Sequence, residues 1–289
     1  MKTRHRYLPA LLALGGLLLA GCTAAPQQPQ PTVNAAAALA HIHDLAIDQQ
    51  NHILIATHDG IYRLPPLAGG GTPTGPLGDA HFDAMSFTSS GDTMFASGHP
   101  SPASPEAFQA PNIGVMRSTG GNDDWTNTSL GGKVDFHALT TARVDAATTI
   151  YGLDAATGQV LRSEDSGNTW TSGATIDAMD LAAQPGKADA LYATARAGIA
   201  ISTDSGKSFT IDTTAPILNQ IGFSTDGTIY GTGPDGYLWQ KTDRWQRGEV
   251  FPGTPQAFTV SANEVIVATD RGIFSTADLG NQWKALWRP

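Results

Sequence analysis

Ser163-Glu164-Asp165-Ser166-Gly167-Asn168-Thr169-Trp170 is the stretch that decides the fold. Its pattern is Ser-x-Asp-x-Gly-x-Thr-Trp. The short Ser and Asp side chains can bond the backbone of a tight turn, and Gly supplies a positive φ there. The aromatic residue then opens the next strand, where it can pack between sheets. The pattern returns at Ser202, Asp204, Gly206, Ser208 and Phe209. Weaker copies lie at Ser118 to Trp125 and at Ser275 to Trp283. A hairpin turn that recurs along a chain is the signature of a repeat architecture.

Working outward from these turns, each repeat opens on a short apolar strand. A second strand follows and ends in a small residue and a turn, and a third leads into the box. The first strands start at 41, 81, 134, 177, 218 and 256. That spacing, typically about forty residues, is that of a four-stranded propeller blade. The second repeat is longer and carries an insertion rich in Pro, Ala and Ser from Pro100 to Pro111. The chain is therefore expected to be all-β, a β-propeller of four-stranded blades, six in number, with seven as the alternative should closure at the termini hide a blade. Amphipathic segments of helical length are missing between the strands, which excludes an α/β fold.

The first residues read as an export signal. Lys2, Arg4 and Arg6 precede an apolar run, Leu8 to Leu19, that is too short to span a bilayer. Leu19-Ala20-Gly21-Cys22 fits a lipobox, and Cys22 is the single cysteine of the chain, so no intrachain disulfide can form. Residues 1–22 are thus expected to be a lipoprotein signal with lipidation at Cys22. Residues 23–38 are Ala, Pro, Gln and Thr with almost no charge and read as a flexible tether. Residues 39–289 are left for one propeller domain. The chain would be exported and held by its lipid on the outer face of the cytoplasmic membrane, or in the periplasm. The formal charge of −9 argues against nucleic acid as a partner. The domain is expected to be a monomer.

The Asp boxes resemble those of the BNR/Asp-box propellers, which include the sialidases, the sortilin ectodomain and the photosystem II stability factors. The stretches His41-Ile42-His43, Ala56-Thr57-His58-Asp59-Gly60, Ser97-Gly98-His99-Pro100 and Asp135-Phe136-His137-Ala138-Leu139 are similar to one group of exported bacterial BNR-repeat proteins, often labelled glycosyl hydrolases. The resemblance covers residues 40–289. It implies the propeller, and it raises a sialidase-like activity on cell-surface glycans as one function. Fold does not carry chemistry, however. A sialidase needs three arginines to hold the sugar carboxylate, a Tyr nucleophile with a Glu partner, and an Asp acid/base. Ile61-Tyr62-Arg63-Leu64-Pro65 superficially resembles the Arg-Ile-Pro motif of that family but sits on an edge strand in the wrong place. Glutamate is scarce, and none of Glu106, Glu164, Glu249 or Glu264 offers a tyrosine partner.

The histidines point elsewhere. His41, His43, His58, His81, His99 and His137 all fall in the first three repeats. Aligned by strand, His43, Asp83, His137, Met179 and Gln220 share one position of the innermost strand. His58, His99, Asp154, Arg196, Asp235 and Asp270 share the end of the second. Equivalent positions of a propeller converge on its axis, so these residues are expected to ring the channel and its mouth. Imidazole and carboxylate are ligands for divalent transition metals, and Met adds a soft donor that suits copper. The candidate ligand-binding residues are His41, His43, His58, Asp83, His99, His137, Asp154, Arg196 and Asp270. Of these, His43, His58, His99 and His137 are the candidate metal ligands, for Cu or Zn. The leading expectation is a propeller lipoprotein that binds a ligand, such as a metal ion, on this face. The alternatives are a BNR-type glycoside hydrolase and an assembly factor that docks an extracytoplasmic protein.

Overall fold

A computed structural model describes residues 39–66, 71–120, 123–262 and 264–289. The signal, Cys22 and the tether lie outside the described residues. The described chain forms six antiparallel sheets, each built from consecutive strands. Their innermost strands are Ile42–Ile47, Phe82–Ser90, Phe136–Val144, Ala178–Ala183, Gln220–Phe223 and Pro255–Val260. Each of these packs against the innermost strand of the next sheet, and the last packs against the first. The molecule is therefore a six-bladed propeller. Among the described residues the one helical element is a turn of 3-10 helix, Leu77–Asp79.

The sequence dictates why the blades stack. The second strands of the first and last blades, Ile53–Thr57 and Val265–Thr269, are buried along their whole length, and those of the other blades along most of it, as expected for strands covered on both faces. Six apolar clusters result, one between each pair of neighbouring blades. Box aromatics sit in four of them: Trp125, Trp170, Phe209 and Trp283. Trp170 lies with its ring centroid 5.1 Å from that of Phe136 and donates its indole N–H to Ser129 Oγ of the preceding blade.

Five blades have four strands, while the first has three. A single bridge between Arg63 and Thr74 stands for its outermost strand. Ring closure does not use a shared strand. Instead Ile42, Leu45, Ile53 and Tyr62 of blade 1 pack on Ala257, Ile266 and Ile273 of blade 6. The Gln256 side chain accepts the Ile42 N–H across the same seam, at 3.0 Å.

The complete Asp boxes form the turns that their residues require. Ser163 Oγ accepts the Gly167 N–H at 2.9 Å and donates to Asp165 Oδ1 at 2.9 Å. Asp165 in turn accepts both the N–H and the hydroxyl of Thr169, at 2.8 and 2.6 Å. These bonds hold its carboxyl down to about 2. The second box repeats the scheme through Ser202, Asp204 and Ser208. In the last blade Thr276 rather than Ser275 takes the serine position, bonding Asp278 and Gly280. In the copy after Ser118, part of which lies outside the described residues, Ser118 Oγ is buried without a hydrogen-bond partner among the described residues. Ser163 is 1% exposed. Ser163→Ala strands the buried Gly167 N–H and should cost about 1–3 kcal/mol. Denaturant unfolding should show this loss, with ligand affinity unaltered. An unchanged midpoint would mean that the box does not hold the turn.

Candidate functional site

The innermost strands enclose a cavity of about 630 Å3 that opens on the mouth of the ring. His43, Met85, His137, Met179 and Gln256 line it. In blades 1, 3 and 6 the innermost strand bulges where His43, His137 and Gln256 stand, between Ile42/Asp44, Phe136/Ala138 and Pro255/Ala257. A bulge leaves one residue out of the ladder and aims its side chain away from the sheet. The pairing corrects one position of the sequence alignment. In blade 2 the bulge lies between Ala84 and Ser86, so Met85 is the counterpart of His43. Asp83 falls two residues earlier, level with His41, and so rises to the mouth.

That shift places Asp83 among the histidines. Asp83 Oδ1 lies 2.8 Å from His58 Nδ1 and 3.4 Å from His43 Nε2. Its Oδ2 lies 3.7 Å from His99 Nδ1. His43 Nε2 and His58 Nδ1 are 3.2 Å apart, and the His41 ring stacks on His58 at a centroid distance of 5.0 Å. His41, His43 and His58 can each offer one ligand atom, all within 4.8 Å of one another. A second group of the same kind comprises His99, Asp135 and His137. Here His99 Nε2 and His137 Nε2 both approach Asp135 Oδ2, at 3.0 and 2.7 Å.

The electrostatics follow from these distances. Burial alone would raise Asp83, but hydrogen bonds from His43 and His58 and their charges outweigh it and hold the carboxyl at about 2. His41 is lowered, first by burial and then by repulsion from His43 and His58, with Asp83 opposing. Its imidazole is thereby kept in the neutral form that a metal needs. His137 is raised, chiefly by its bond to Asp135.

The sequence singled out four metal candidates, and the structure distributes them over both groups. Asp135 escaped that reading, although the alternation Asp135-Phe136-His137 puts both polar side chains on one face of the strand. The remaining candidates are not brought into either group. Asp154 is buried and caps its own turn, accepting the Thr157 hydroxyl at 2.5 Å. Arg196 pairs with exposed Asp177 at 2.6 Å. Asp270 accepts the Thr254 N–H at 2.7 Å. His81 forms a separate cluster, with Asp59 joining it to the Tyr62 hydroxyl. Arg63 is spent on a bidentate pair with Asp123, at 2.8 and 3.1 Å.

Beneath the mouth, Asp44 and Asp180 line both the cavity and a smaller one of about 290 Å3 below it. Each carboxylate pins two blades together. Asp44 accepts the N–H groups of Leu45 and Phe87, and Asp180 those of Leu181 and Ile221. Burial raises both, Asp180 to about 7. An ordinary aspartate in the unfolded chain titrates near 3.8. The folded protein therefore keeps this proton where the unfolded chain loses it. The resulting stabilisation is complete below pH 3.8 and is lost as pH rises through about 7. The carboxyl carbon resonance of Asp180 should titrate near 7. A midpoint in the ordinary carboxylate range would show that the throat is as wet as bulk solvent.

No protein-family model matches this chain, and no curated protein matches it. Among solved structures it is similar to YCF48 bound to D1 peptide, with a TM-score of 0.51 and 18% identity over 85% of this chain and 80% of that one. It is also similar to an ancestral GH74 enzyme, with a TM-score of 0.51 and 13% identity over 86% of this chain and 39% of that one. For a GH74 enzyme from Niastella koreensis the TM-score is 0.56, with 16% identity over 85% of this chain and 45% of that one. The chain thus spans less than half the length of the two enzymes. At these identities the likeness is one of fold, and it joins this chain to β-propellers that include a peptide-bound protein and GH74 enzymes.

Proposed function

We propose that this chain is an exported lipoprotein whose propeller, of the BNR/Asp-box type, binds a divalent transition-metal ion, Cu or Zn, at the mouth of the ring. The observation that carries the reading is the convergence of His41, His43 and His58 within ligand reach of one another. Zinc takes imidazole nitrogens at about 2.0–2.1 Å, so two such ligands on a tetrahedral ion stand about 3.3 Å apart. The 3.2 Å between His43 Nε2 and His58 Nδ1 matches that edge. Titration of the purified protein with Cu2+ or Zn2+ tests the reading. Uptake should occur at micromolar concentration or below and weaken as pH falls under about 6, where imidazole is protonated. A protein that takes up neither ion would sink it.

The glycoside hydrolase alternative finds less support. Among the described residues the cavity is lined by no arginine, tyrosine or glutamate. A glycosidase also needs two carboxyl groups free to act, whereas both oxygens of Asp44 and of Asp180 accept backbone N–H groups, which leaves Asp235 as the one other carboxyl group lining the cavity among the described residues. Docking of a protein segment is the second reading, favoured by Met179, which lies 65% exposed at the cavity wall.

Anchoring by Cys22 belongs to the same proposal. Cys22→Ala should remove labelling by a fatty-acid analogue and release the protein from membranes. Unchanged labelling would place the anchor elsewhere.

A further inference from the structure

The two groups of ligands at the mouth are not independent. Asp83 lies between them, with Oδ1 on His58 and His43 and Oδ2 3.7 Å from Nδ1 of His99, whose Nε2 approaches Asp135. A carboxylate that stands between two sets of cation ligands lowers the repulsion between two bound ions. The second group carries its own sign of a missing partner. Asp135 is 8% exposed, and its Oδ1 is buried with no hydrogen bond. A buried anionic oxygen without a donor is costly. The two imidazole nitrogens that approach Asp135 Oδ2 stand at 3.0 and 2.7 Å, and a cation held by both rings that meets both carboxylate oxygens would also satisfy Oδ1.

We infer that the mouth holds two transition-metal ions, one on His41, His43 and His58 and one on His99, Asp135 and His137, with Asp83 as the carboxylate between them. The inference rests on the metal-binding reading above and extends it from one ion to two. Both ions would face the same cavity, because His43 and His137 each line it. Paired ions in proteins stand about 3.5–4 Å apart and clamp oxygen atoms between them. The ligand class that such a pair selects is an anion with two oxygen donors, a carboxylate or a phosphate.

The test uses Cu2+ as the probe on the purified full chain in detergent, with stoichiometry from elemental analysis and coupling between the ions from electron paramagnetic resonance. The wild-type protein should bind two ions per chain and show a magnetically coupled signal. His99→Ala with His137→Ala should leave one ion, and so should His41→Ala with His58→Ala. Asp83→Asn should keep both ions and lose the coupling. Should the double replacement at His99 and His137 unfold blade 3, as circular dichroism would reveal, Asp135→Asn keeps the side-chain volume and should equally reduce two ions to one. One ion in the wild type, lost with His41 and His58 but indifferent to His99 and His137, would overturn this inference and leave the single-ion reading standing. Two ions without coupling would overturn the pairing of the ions across Asp83. Binding of no ion would overturn both readings together.

Discussion

Replacing His43 and His58 together by alanine should abolish micromolar binding of Cu2+ or Zn2+ at the site of His41, His43 and His58, leaving any ion held by His99, Asp135 and His137. Loss of one partner behind a metal ligand typically weakens binding by about 10–100-fold, and this variant removes two of the three ligands themselves, so a loss of more than about 100-fold is expected. The change should be local. Neither ring belongs to the apolar clusters between blades, and the His58 side chain is 59% exposed, although that of His43, which lines the cavity, is 9% exposed. The unfolding midpoint near neutral pH should therefore fall only by the Asp83 contribution given below. Two titrations report whether the geometry is as described. His41 should rise, because burial by its neighbours is relieved and the repulsion from His43 and His58 is gone. Asp83 should rise from about 2, since the burial that pushes it up is no longer offset by two hydrogen bonds. With its folded value below the unfolded one, Asp83 contributes stability above pH 3.8 that is lost as pH falls towards about 2. The variant should lack that acid-sensitive component. Retained affinity, with His41 and Asp83 unmoved, would show that the histidines only stack.

Gly98→Ala should have the largest effect on stability of any single methyl group added near the site. Gly98 pairs with Ala84 beside the bulge and has a φ of +149°, which L residues rarely adopt. A Cβ there would overlap the carbonyl oxygen of Asp83 and lie 2.8 Å from the Met85 nitrogen. Both are backbone atoms, so no side-chain rotation relieves the clash. Strain of about 1–3 kcal/mol adds to overpacking of about 1–3 kcal/mol. Roughly 2–6 kcal/mol in total is expected from denaturant unfolding. Gly186→Ala is the control. Gly186 has φ +73° but nothing within 4 Å of an added Cβ, so only the left-handed penalty of about 1–2 kcal/mol applies. Any Gly98→Ala protein that still folds should bind metal more weakly, because the backbone that carries Asp83 must move. Equal losses in the two variants would show that the strand tolerates the shift.

The turns, the blades and their number were legible in the linear chain because their causes are local. Ser163, Asp165, Gly167 and Thr169 close their hydrogen bonds within a few residues, so the box declares the hairpin wherever it stands. The histidine-rich half of the ring was legible for a related reason, since repetition brings equivalent residues to equivalent places. His43 and His137 do line the cavity together. Other features depend on pairings that no local pattern states. Whether Asp83 or Met85 faces the channel is set by a bulge, and the bulge follows from pairing against Gly98 and His99 on the next strand. Asp135 gains its role only because His99 arrives from the neighbouring blade. Arg63, whose resemblance to a carboxylate-binding motif is only superficial, is taken by Asp123 from sixty residues away. The seam between blades 6 and 1 joins the two ends of the propeller by apolar packing and one glutamine. Local hydrogen bonding and alternation write the blade into the sequence, whereas the partners across blades are chosen when the ring closes, and the candidate metal site is made of those partners.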